Sequence, residues 1–146
     1  MTQSDPNDCL YCQNDKNLTD LMIFIANMNV SRLFLFREQS YYGRCVIAFK
    51  DHVNDISDLN ESDRNAFMED VVEATKALKK VFNPDKINFG AYSDKLTHLH
   101  FHLTPKYKGG LDWGGVFLMN PKRVTLSEEK YKNLIEEIRF ALINRT

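Results

Sequence analysis

Hydrophobic residues follow two patterns along this chain, and the first pattern predicts β-strands. Five runs are apolar throughout or alternate with polar residues, and β-branched and aromatic residues are frequent in them. They cover residues 21–28, 32–37, 44–49, 86–92 and 98–105. The chain is therefore expected to contain five strands.

The second pattern is helical. Apolar residues recur at intervals of three or four over residues 58–82, with Asn60 at the position of an N-cap and Pro84 just after the end. Another amphipathic segment starts at Ser127. Short connections between neighbouring strands favour antiparallel pairing. The order of elements therefore predicts an α+β fold, an antiparallel sheet of about five strands with a long central helix and a C-terminal helix.

Size and charge restrict the classes of protein to which the chain can belong. Its 146 residues suffice for one domain, expected over residues 1–146, and a net charge of -1 gives no general attraction to nucleic acid or to an anionic membrane. No apolar run approaches the roughly 20 residues that span a bilayer. Residues 1–12 lack the basic and apolar regions of a signal peptide. We therefore expect a cytoplasmic protein that binds neither nucleic acid nor membrane.

The chain contains three cysteines, and two of them are closely spaced. Cys9 and Cys12 form a Cys-x-x-Cys pair, which in a reducing compartment indicates half of a metal site or a redox pair. Cys45 lies in a predicted apolar strand and is expected to be a small buried hydrophobic residue. An odd number of cysteines without a secretion signal argues against a framework of disulfides.

Three of the four histidines stand at alternate positions of the last predicted strand: His98, His100 and His102. Side chains two residues apart in a strand point to the same face, so these imidazoles are expected to form one row. Three interpretations are open. The histidines are solvated residues of a half-buried strand, or they bind a metal, or they handle phosphate.

Strand geometry limits the metal interpretation, and imidazole chemistry supports the phosphate interpretation. The outer two Cα atoms of the row are about 13 Å apart in a straight strand, so all three rings cannot bind one ion. An adjacent pair can, which keeps a metal-dependent hydrolase using His100 and His102 as an alternative. An imidazole with a pKa of about 6.5 is largely neutral in the cytosol, can attack phosphorus and then leaves readily. His100, flanked on both sides, is the natural nucleophile.

The segment HLHFHLTPKY, residues 98–107, carries the pattern His-φ-His-φ-His-φ-φ, in which φ is a hydrophobic residue. It resembles the histidine triad (HIT) superfamily, in its branch of small nucleotide hydrolases such as the diadenosine polyphosphate hydrolases. The resemblance extends over residues 9–107, since GRCVIAFKDHVNDISDL and KINFGAY are similar to other strands of that family. It implies an α+β fold of the HIT type and a homodimer.

The resemblance also implies a reaction. A nucleotidyl group passes from a dinucleoside polyphosphate, a nucleoside phosphoramidate or a similar substrate to His100 and then to water. His102 contacts the phosphate and His98 supports the row. Diadenosine tetraphosphate represents the favoured substrate class, with an adenosine phosphoramidate as the close alternative. No catalytic cofactor is required.

Further substrate contacts are implied by the same resemblance. Asn88 matches the family position that hydrogen-bonds near the phosphate and the nucleophile. Gln39 matches a position near the nucleoside in relatives, although a solvated loop residue explains it equally well.

Two positions before the triad depart from the family pattern. Ser93 and Asp94 stand where relatives usually have Gly-Gln or Gly-Asn, and an ionised aspartate can only accept a hydrogen bond. Lys95 and Lys106 are expected to restore positive charge near the phosphate, although a lysine lacks the fork geometry of arginine. These departures motivate an alternative function, a nucleotide-binding, zinc-stabilised interaction protein with little turnover.

Some bacterial members of the family bind zinc through two N-terminal cysteines, a histidine after the third strand and the first histidine of the triad. The matching residues here are Cys9, Cys12, His52 and His98. Two thiolates and two imidazoles make a closed tetrahedral site, so the implied Zn²⁺ is structural. The alternative is that both cysteines are free thiols and that His52 is a surface residue.

Overall fold

Five strands form one antiparallel sheet in the part of the chain that the structure, a computed structural model, describes: residues 5–144. The strands are β1 (Met22–Asn27), β2 (Ser31–Phe36), β3 (Cys45–Phe49), β4 (Lys86–Gly90) and β5 (His100–Lys106). Their order across the sheet is β1-β2-β3-β5-β4, and every neighbouring pair is antiparallel. The predicted α+β fold class is confirmed.

Four α-helices accompany the sheet: α1 (Leu10–Gln13), α2 (Lys16–Leu21), α3 (Glu61–Phe82) and α4 (Glu128–Ile143). The predicted N-cap of the long helix, Asn60, is confirmed, and Ser127, where the last helical segment was predicted to start, is the N-cap of α4. The side chain of Asn60 accepts a hydrogen bond from the backbone N–H of Asp63 at 2.8 Å, and that of Ser127 from the backbone N–H of Lys130 at 3.1 Å. These bonds satisfy donors that a helix start otherwise leaves free.

The connection through α3 places the histidine strand inside the sheet. β1, β2 and β3 follow one another as a meander, whereas α3 leads to β4 at the far edge and β5 returns between β3 and β4. β5 therefore has a hydrogen-bonded neighbour on both sides.

The two faces of the sheet have different covers. One face packs against α3 and α4 in a core that includes Leu33, Leu35, Cys45, Ile47, Leu99 and Leu103. On the other face the N-terminal segment packs its own cluster, which includes Cys9, Tyr11, Leu18, Phe34, Val46 and Ala48. His100 and His102 lie directly opposite Ala48 and Val46 in the register of β3 and β5, so the histidines share this second face.

A buried carboxylate joins α3 to the turn between β1 and β2. Asp70 is 5% exposed and accepts hydrogen bonds from the backbone N–H groups of Asn29 and Val30, at 3.2 and 2.9 Å, and from the hydroxyl of Ser31 at 2.6 Å. Three donors compensate for the water that this carboxylate loses on burial. The contact holds the meander against the long helix.

Several element boundaries differ from the predicted ones. β4 ends at Gly90 rather than at residue 92, and β5 begins at His100 rather than at residue 98. The reason for the later start is that the backbone N–H of Leu99 donates to Val53 at 2.8 Å, outside the ladder of β3 and β5. The long helix begins at Glu61 because residues 56–58 form a separate 3-10 turn. The pattern also missed α1 and α2.

Two further expectations from the sequence, on membrane-spanning segments and on Cys45, can be compared with the structure. Within residues 5–144, no helix is both long and apolar enough to cross a membrane. Cys45 is buried in the core under the long helices, as expected, and burial raises the pKa of its thiol. The expectation that the chain has no signal peptide is based on residues 1–12. Residues 1–4 of this segment lie outside the described part of the chain.

Candidate functional site

The three histidines form one buried row on the sheet face opposite the long helices. The ring centroids of His100 and His102 are 5.3 Å apart. The ring of Tyr11 packs against both His98 and His100, with centroid separations of 5.1 and 5.2 Å, so His98 continues the row although it precedes β5. None of the three histidines is more than 5% exposed. Their burial excludes the interpretation as solvated surface residues.

One hydrogen bond decides which nitrogen of His100 carries the proton. Its Nδ1 lies 2.7 Å from the backbone carbonyl oxygen of His98, which can only accept, so Nδ1 is the donor. Nε2 of the neutral ring therefore keeps its lone pair. Burial lowers the pKa of His100 and favours the neutral form, although the bond to the carbonyl acts in the opposite direction. Such a ring can attack an electrophilic phosphorus.

The ring of His102 carries its proton on the other nitrogen. Its Nδ1 lies 3.1 Å from Nη2 of Arg44, and a guanidinium can only donate, so Nδ1 accepts and Nε2–H is the donor. Burial, with the positive charge of Arg44, lowers the pKa of His102 to about 3. His102 is thus a neutral hydrogen-bond donor next to the predicted nucleophile, His100.

The four residues matched to a zinc site converge beside the row. One ligand atom from each of Cys9, Cys12, His52 and His98 lies within 4.8 Å of all the others. The Sγ atoms of Cys9 and Cys12 are 3.4 and 3.5 Å from Nδ1 of His98, and Sγ of Cys12 is 3.4 Å from Nδ1 of His52. Around a tetrahedral zinc ion, sulfur and nitrogen ligands at their usual bond lengths are about 3.6 Å apart. The cluster has the dimensions of such a site.

A further hydrogen bond prepares His98 as a ligand. Its Nε2 lies 2.7 Å from the carbonyl oxygen of Phe49, so Nε2 carries the proton and the lone pair of Nδ1 faces the two thiols. Burial lowers the pKa of His98 to about 4, which keeps the ring neutral. Metal-binding histidines commonly donate their second N–H to a carbonyl or carboxylate in this way. The donor set therefore fits a metal ion such as Zn²⁺.

Tyr11 connects this cluster to the histidine row. It lies between the two cysteines in the sequence, is 2% exposed, and contacts both His98 and His100. Burial raises the pKa of its hydroxyl. The segment that carries the thiols is therefore packed directly on the predicted nucleophile.

Asn88 lies on the same face as the row. The register places it opposite Thr104, two residues after His102 on β5. It lines a cavity of about 430 Å³ together with Asp85, Lys86, Lys106, Trp113, Gly114 and Gly115. Lys106, at the end of β5, borders this cavity, whereas none of the three histidines lines it.

The polar residues of the connection between β4 and β5 differ in their distance from the histidine row. Asp94 and Lys95 are exposed. Ser93 has a left-handed backbone, with φ of 58°, and its Oγ lies 3.5 Å from Nδ1 of His100. Ser93 therefore approaches the ring of His100 from this connection.

Gln39 is buried beneath the turn that leads into β3, so its interpretation as a solvated loop residue is wrong. Its Nε2 donates to the carbonyl oxygens of Phe36 and Arg44 at 2.6 and 3.2 Å, and its Oε1 accepts from the backbone N–H of Gly43 at 2.8 Å. Gly43 has φ of 94°, and a Cβ there would lie 2.8 Å from the ring of Phe82. Gln39 thus holds a glycine turn and the backbone of Arg44.

Lys106 is buried and its ammonium group is occupied. Nζ donates to the carbonyl oxygens of Asp112 and Gly115, at 2.7 and 2.5 Å. The lysine therefore holds the loop after β5 in place. Its charge is directed at backbone dipoles of this loop.

Two residues of the site were not predicted from the sequence. Arg44 is a charged residue at the entry of an otherwise apolar strand, and this contrast was the available signal. Tyr11 lies within the Cys-x-x-Cys pair, so a fold that brings the thiols to His98 also brings Tyr11 to the row.

The row of imidazoles on an inner strand can now be compared with known proteins. The family model described as the HIT domain matches residues 22–109, which is more than half of the chain. The chain belongs to the HIT family. Membership implies nucleotide binding and, in general, hydrolase or transferase activity. A search of curated proteins found no match.

Solved structures of HIT proteins share the fold. A histidine triad protein from Bradyrhizobium japonicum has a TM-score of 0.80 at 19% identity, covering 88% of this chain and 96% of its own. One from Marinobacter aquaeolei has a TM-score of 0.80 at 15% identity, covering 90% and 96%. A Zn-bound histidine triad family protein from Mycobacterium smegmatis has a TM-score of 0.67 at 16% identity, covering 95% and 96%. At these identities the likeness shows the fold alone.

Proposed function

We propose that this HIT protein is a nucleotide hydrolase or nucleotidyl transferase that acts on the α-phosphate of dinucleoside polyphosphates or nucleoside phosphoramidates. The observation that carries the proposal is the hydrogen bond from Nδ1–H of His100 to the carbonyl oxygen of His98, at 2.7 Å. It leaves the lone pair of Nε2 for nucleophilic attack and keeps the ring in a fixed orientation.

In the first step, Nε2 of His100 attacks the α-phosphorus of the substrate. A P–N bond forms while the bond from phosphorus to the leaving group breaks, and the electron pair of that bond departs with the leaving group. An amine leaving group also takes up a proton from solvent water. The ring of His100 becomes positively charged, and the carbonyl oxygen of His98 stabilises it through Nδ1–H. Nε2–H of His102 donates to a phosphoryl oxygen.

In the second step, water attacks the same phosphorus. The P–N bond breaks, its electron pair returns to Nε2 of His100, and a proton from the water passes to solvent. The product is a nucleoside monophosphate, and diadenosine tetraphosphate remains the favoured substrate class. No step requires a catalytic cofactor.

The remaining predicted contacts have distinct places in this proposal. Asn88 contacts the nucleotide from the cavity beside β5. Asp94 and Lys95 border the open side of the site, where Lys95 offers a cation to a polyphosphate. Gln39 acts through the turn that carries Arg44.

We also propose that Zn²⁺ is the metal held by Cys9, Cys12, His52 and His98. Four protein ligands complete a tetrahedral shell, so the ion supplies a rigid cross-link between the N-terminal segment and the row. A reducing cytoplasm suits this role, since the cysteines of the described chain are free thiols. Two nearby imidazoles could in principle bind a catalytic metal, but the guanidinium of Arg44 beside His102 disfavours a second cation there.

Product analysis tests the proposed reaction. Wild-type protein and His100→Ala are incubated with diadenosine tetraphosphate and with adenosine phosphoramidate, and the products are separated by chromatography. We expect wild type to release AMP and His100→Ala to release none, with circular dichroism showing that the variant is folded. Intact-mass measurement of acid-quenched wild type should show one added adenylate, which is absent from the variant.

The second candidate is a nucleotide-binding, zinc-stabilised interaction protein with little turnover. The observations in its favour are the exposed carboxylate of Asp94 in place of an amide and the engagement of Lys106 with loop carbonyls. If wild-type protein binds AMP but releases no product from either substrate, this binding function replaces the proposed hydrolase function.

A further inference from the structure

Arg44 is a fully buried arginine at the entry to β3, and among residues 5–144 no carboxylate forms an ion pair with it. Its side chain is 0% exposed. The ion pairs found within 4.0 Å among residues 5–144 join Lys16 to Asp20 and Arg37 to Glu128. Burying a charge is unfavourable unless an opposite charge or hydrogen bonds compensate for it. The fold therefore keeps an unpaired cation beside the histidine row.

The guanidinium has partners on two sides. Nη2 donates to Nδ1 of His102 at 3.1 Å and approaches Sδ of Met119 at 3.4 Å. Nη1 donates to the carbonyl oxygens of Leu118 and Met119, both at 3.2 Å. Nε is buried and has no hydrogen-bond partner. All these hydrogen-bond partners are neutral. The carboxylate of Glu38 favours the charged guanidinium from beyond ion-pair distance, so the cation is held in position without a direct counter-ion.

Aromatic rings enclose the same group. The guanidinium carbon lies 4.4 Å from the ring centroid of Phe36, 5.2 Å from that of Phe117 and 6.0 Å from that of Tyr41. Such rings attract a cation without neutralising it. Phe117 reaches this place because Gly90 has no side chain: a Cβ on Gly90 would lie 2.6 Å from the Phe117 ring. Residues from β2, from β4 and from the loops before β3 and after β5 thus together bury the guanidinium.

We propose that Arg44 is a positioning residue for nucleotidyl transfer, which fixes His102 with Nε2–H facing the phosphate and supplies the buried positive charge that attracts the phosphoryl group. The proposal rests on the hydrolase function proposed above. Burial lowers the pKa of Arg44 only to about 10, so the group is charged at neutral pH. Lys106 is engaged with the loop after β5, whereas Arg44 hydrogen-bonds directly to a histidine of the row.

Three variants distinguish the positioning role of Arg44 from a purely structural role. Arg44→Met removes the charge and the donor to His102 while keeping apolar contacts with the aromatic rings. Arg44→Lys keeps the charge but lacks the fork that holds Nδ1 of His102 and the loop carbonyls together. Arg64→Gln removes a charge from an exposed position of α3 and is the matched control.

The first readout is the ¹⁵N NMR spectrum of the histidine rings, in the absence of nucleotide. For wild type and Arg64→Gln, we expect His102 to have an unprotonated Nδ1 and a protonated Nε2. In Arg44→Met the donor to Nδ1 is gone, so we expect a mixture of tautomers or a protonated Nδ1. A purely structural role for Arg44 would leave the tautomer unchanged in a folded variant.

The second readout is the affinity for AMP, measured by calorimetry. We expect Arg44→Met to weaken binding at least tenfold, Arg44→Lys to weaken it less, and Arg64→Gln to leave it unchanged. An Arg44→Met protein with the wild-type tautomer and wild-type affinity would overturn the proposal. If Arg44→Met does not fold, Arg44→Lys decides it through the same two measurements. A wild type without turnover defeats the hydrolase function, whereas the tautomer and the affinity still test Arg44.

Discussion

Adjacent histidines of the row carry their proton on different ring nitrogens, and these differences come from single neighbouring atoms. The carbonyl oxygen of His98 makes Nδ1 the donor in His100, whereas the guanidinium of Arg44 makes Nδ1 the acceptor in His102. Alternation along the sequence could predict that the rings form a row, because the period of a strand is two residues. It could not predict the tautomers, since Arg44 and His102 are 58 positions apart.

Asp70 provides a stability prediction for a single residue. Asp70→Asn keeps the shape of the side chain but removes the charge and turns an NH₂ group towards donors from the turn between β1 and β2. Charge-assisted hydrogen bonds to a buried group contribute about 1.5–3 kcal/mol, and we expect a loss of this size in the free energy of unfolding in urea.

The neighbouring Glu69, which is exposed, offers a matched control for Asp70. Glu69→Gln should change the free energy of unfolding by no more than about 0.5 kcal/mol. Equal effects of the two variants would show that Asp70 does not hold the turn.

Among the elements, the N-terminal segment was the hardest to predict from the sequence. α1 has only four residues and α2 only six, too short for a hydrophobic period to be recognised. The long helix α3 was predictable because apolar residues repeat over a longer range, and the strands were predictable because β-branched and aromatic residues are frequent in them. The metal ligands were predictable only through a family pattern, since Cys9 and His98 are 89 positions apart.

The proposed metal centre yields a prediction at this scale. Purified protein should contain about one zinc ion per chain by elemental analysis, because four ligands meet in a tetrahedral arrangement. A strong chelator should lower the melting temperature, since the ion cross-links the N-terminal segment to the sheet. Cys12→Ser should lose the metal.

Cys45 is a suitable control for the metal prediction, because it is buried in the core on the opposite face of the sheet. Cys45→Ala should retain the zinc even if its stability is reduced. Full zinc content in Cys12→Ser would contradict the proposed ligand set.

For the whole molecule, the buried neutral state of His102 makes stability depend on pH. The groups that face the ring are Arg44 from the entry of β3, His100 from β5, and the aromatic rings of Phe36 and Phe117. The pKa of His102 is lowered to about 3 in the folded chain, whereas an unperturbed histidine has a pKa of about 6.5. Between these two values the unfolded chain binds a proton at this position and the folded chain does not. Stability from this group is fully present above pH 6.5 and is lost as the pH falls towards 3.

Urea unfolding at several pH values measures this dependence. Below pH 6.5, the free energy of unfolding of wild type should fall more steeply than that of His102→Asn, by up to about 1.4 kcal/mol per pH unit. Titrating groups away from this ring contribute equally to both proteins, so the difference reports on His102 and on its contacts with His100 and Arg44. Parallel curves would mean that the buried ring accepts a proton readily.

We also propose that the protein is a homodimer, and the edge strand β4 suggests where the copies meet. Phe89 and Tyr92, on and just after this edge strand, are 51% and 50% exposed, and unpaired strand edges commonly pair with another chain. We expect sedimentation velocity to show a dimer, and Phe89→Asp to shift it to a monomer.

Phe24 provides the control for the dimer, because it lies on the opposite edge strand β1 and is 42% exposed. Phe24→Asp should leave the dimer intact. A monomeric wild type at micromolar concentration would rule out the proposal, and dissociation by Phe24→Asp alone would move the interface to the other edge.

The insertion of β5 between β3 and β4 sets an order of events during synthesis. The meander of β1, β2 and β3 has short-range contacts and can form while the ribosome is still translating α3. The ladder between β3 and β5 must close a much longer stretch of chain, and it waits for residues 100–106. The two thiols emerge first and meet His98 only near the end. A nascent chain thus exposes the unpaired edge of β3 until the histidine strand pairs with it, which makes late translation the interval in which aggregation competes with folding.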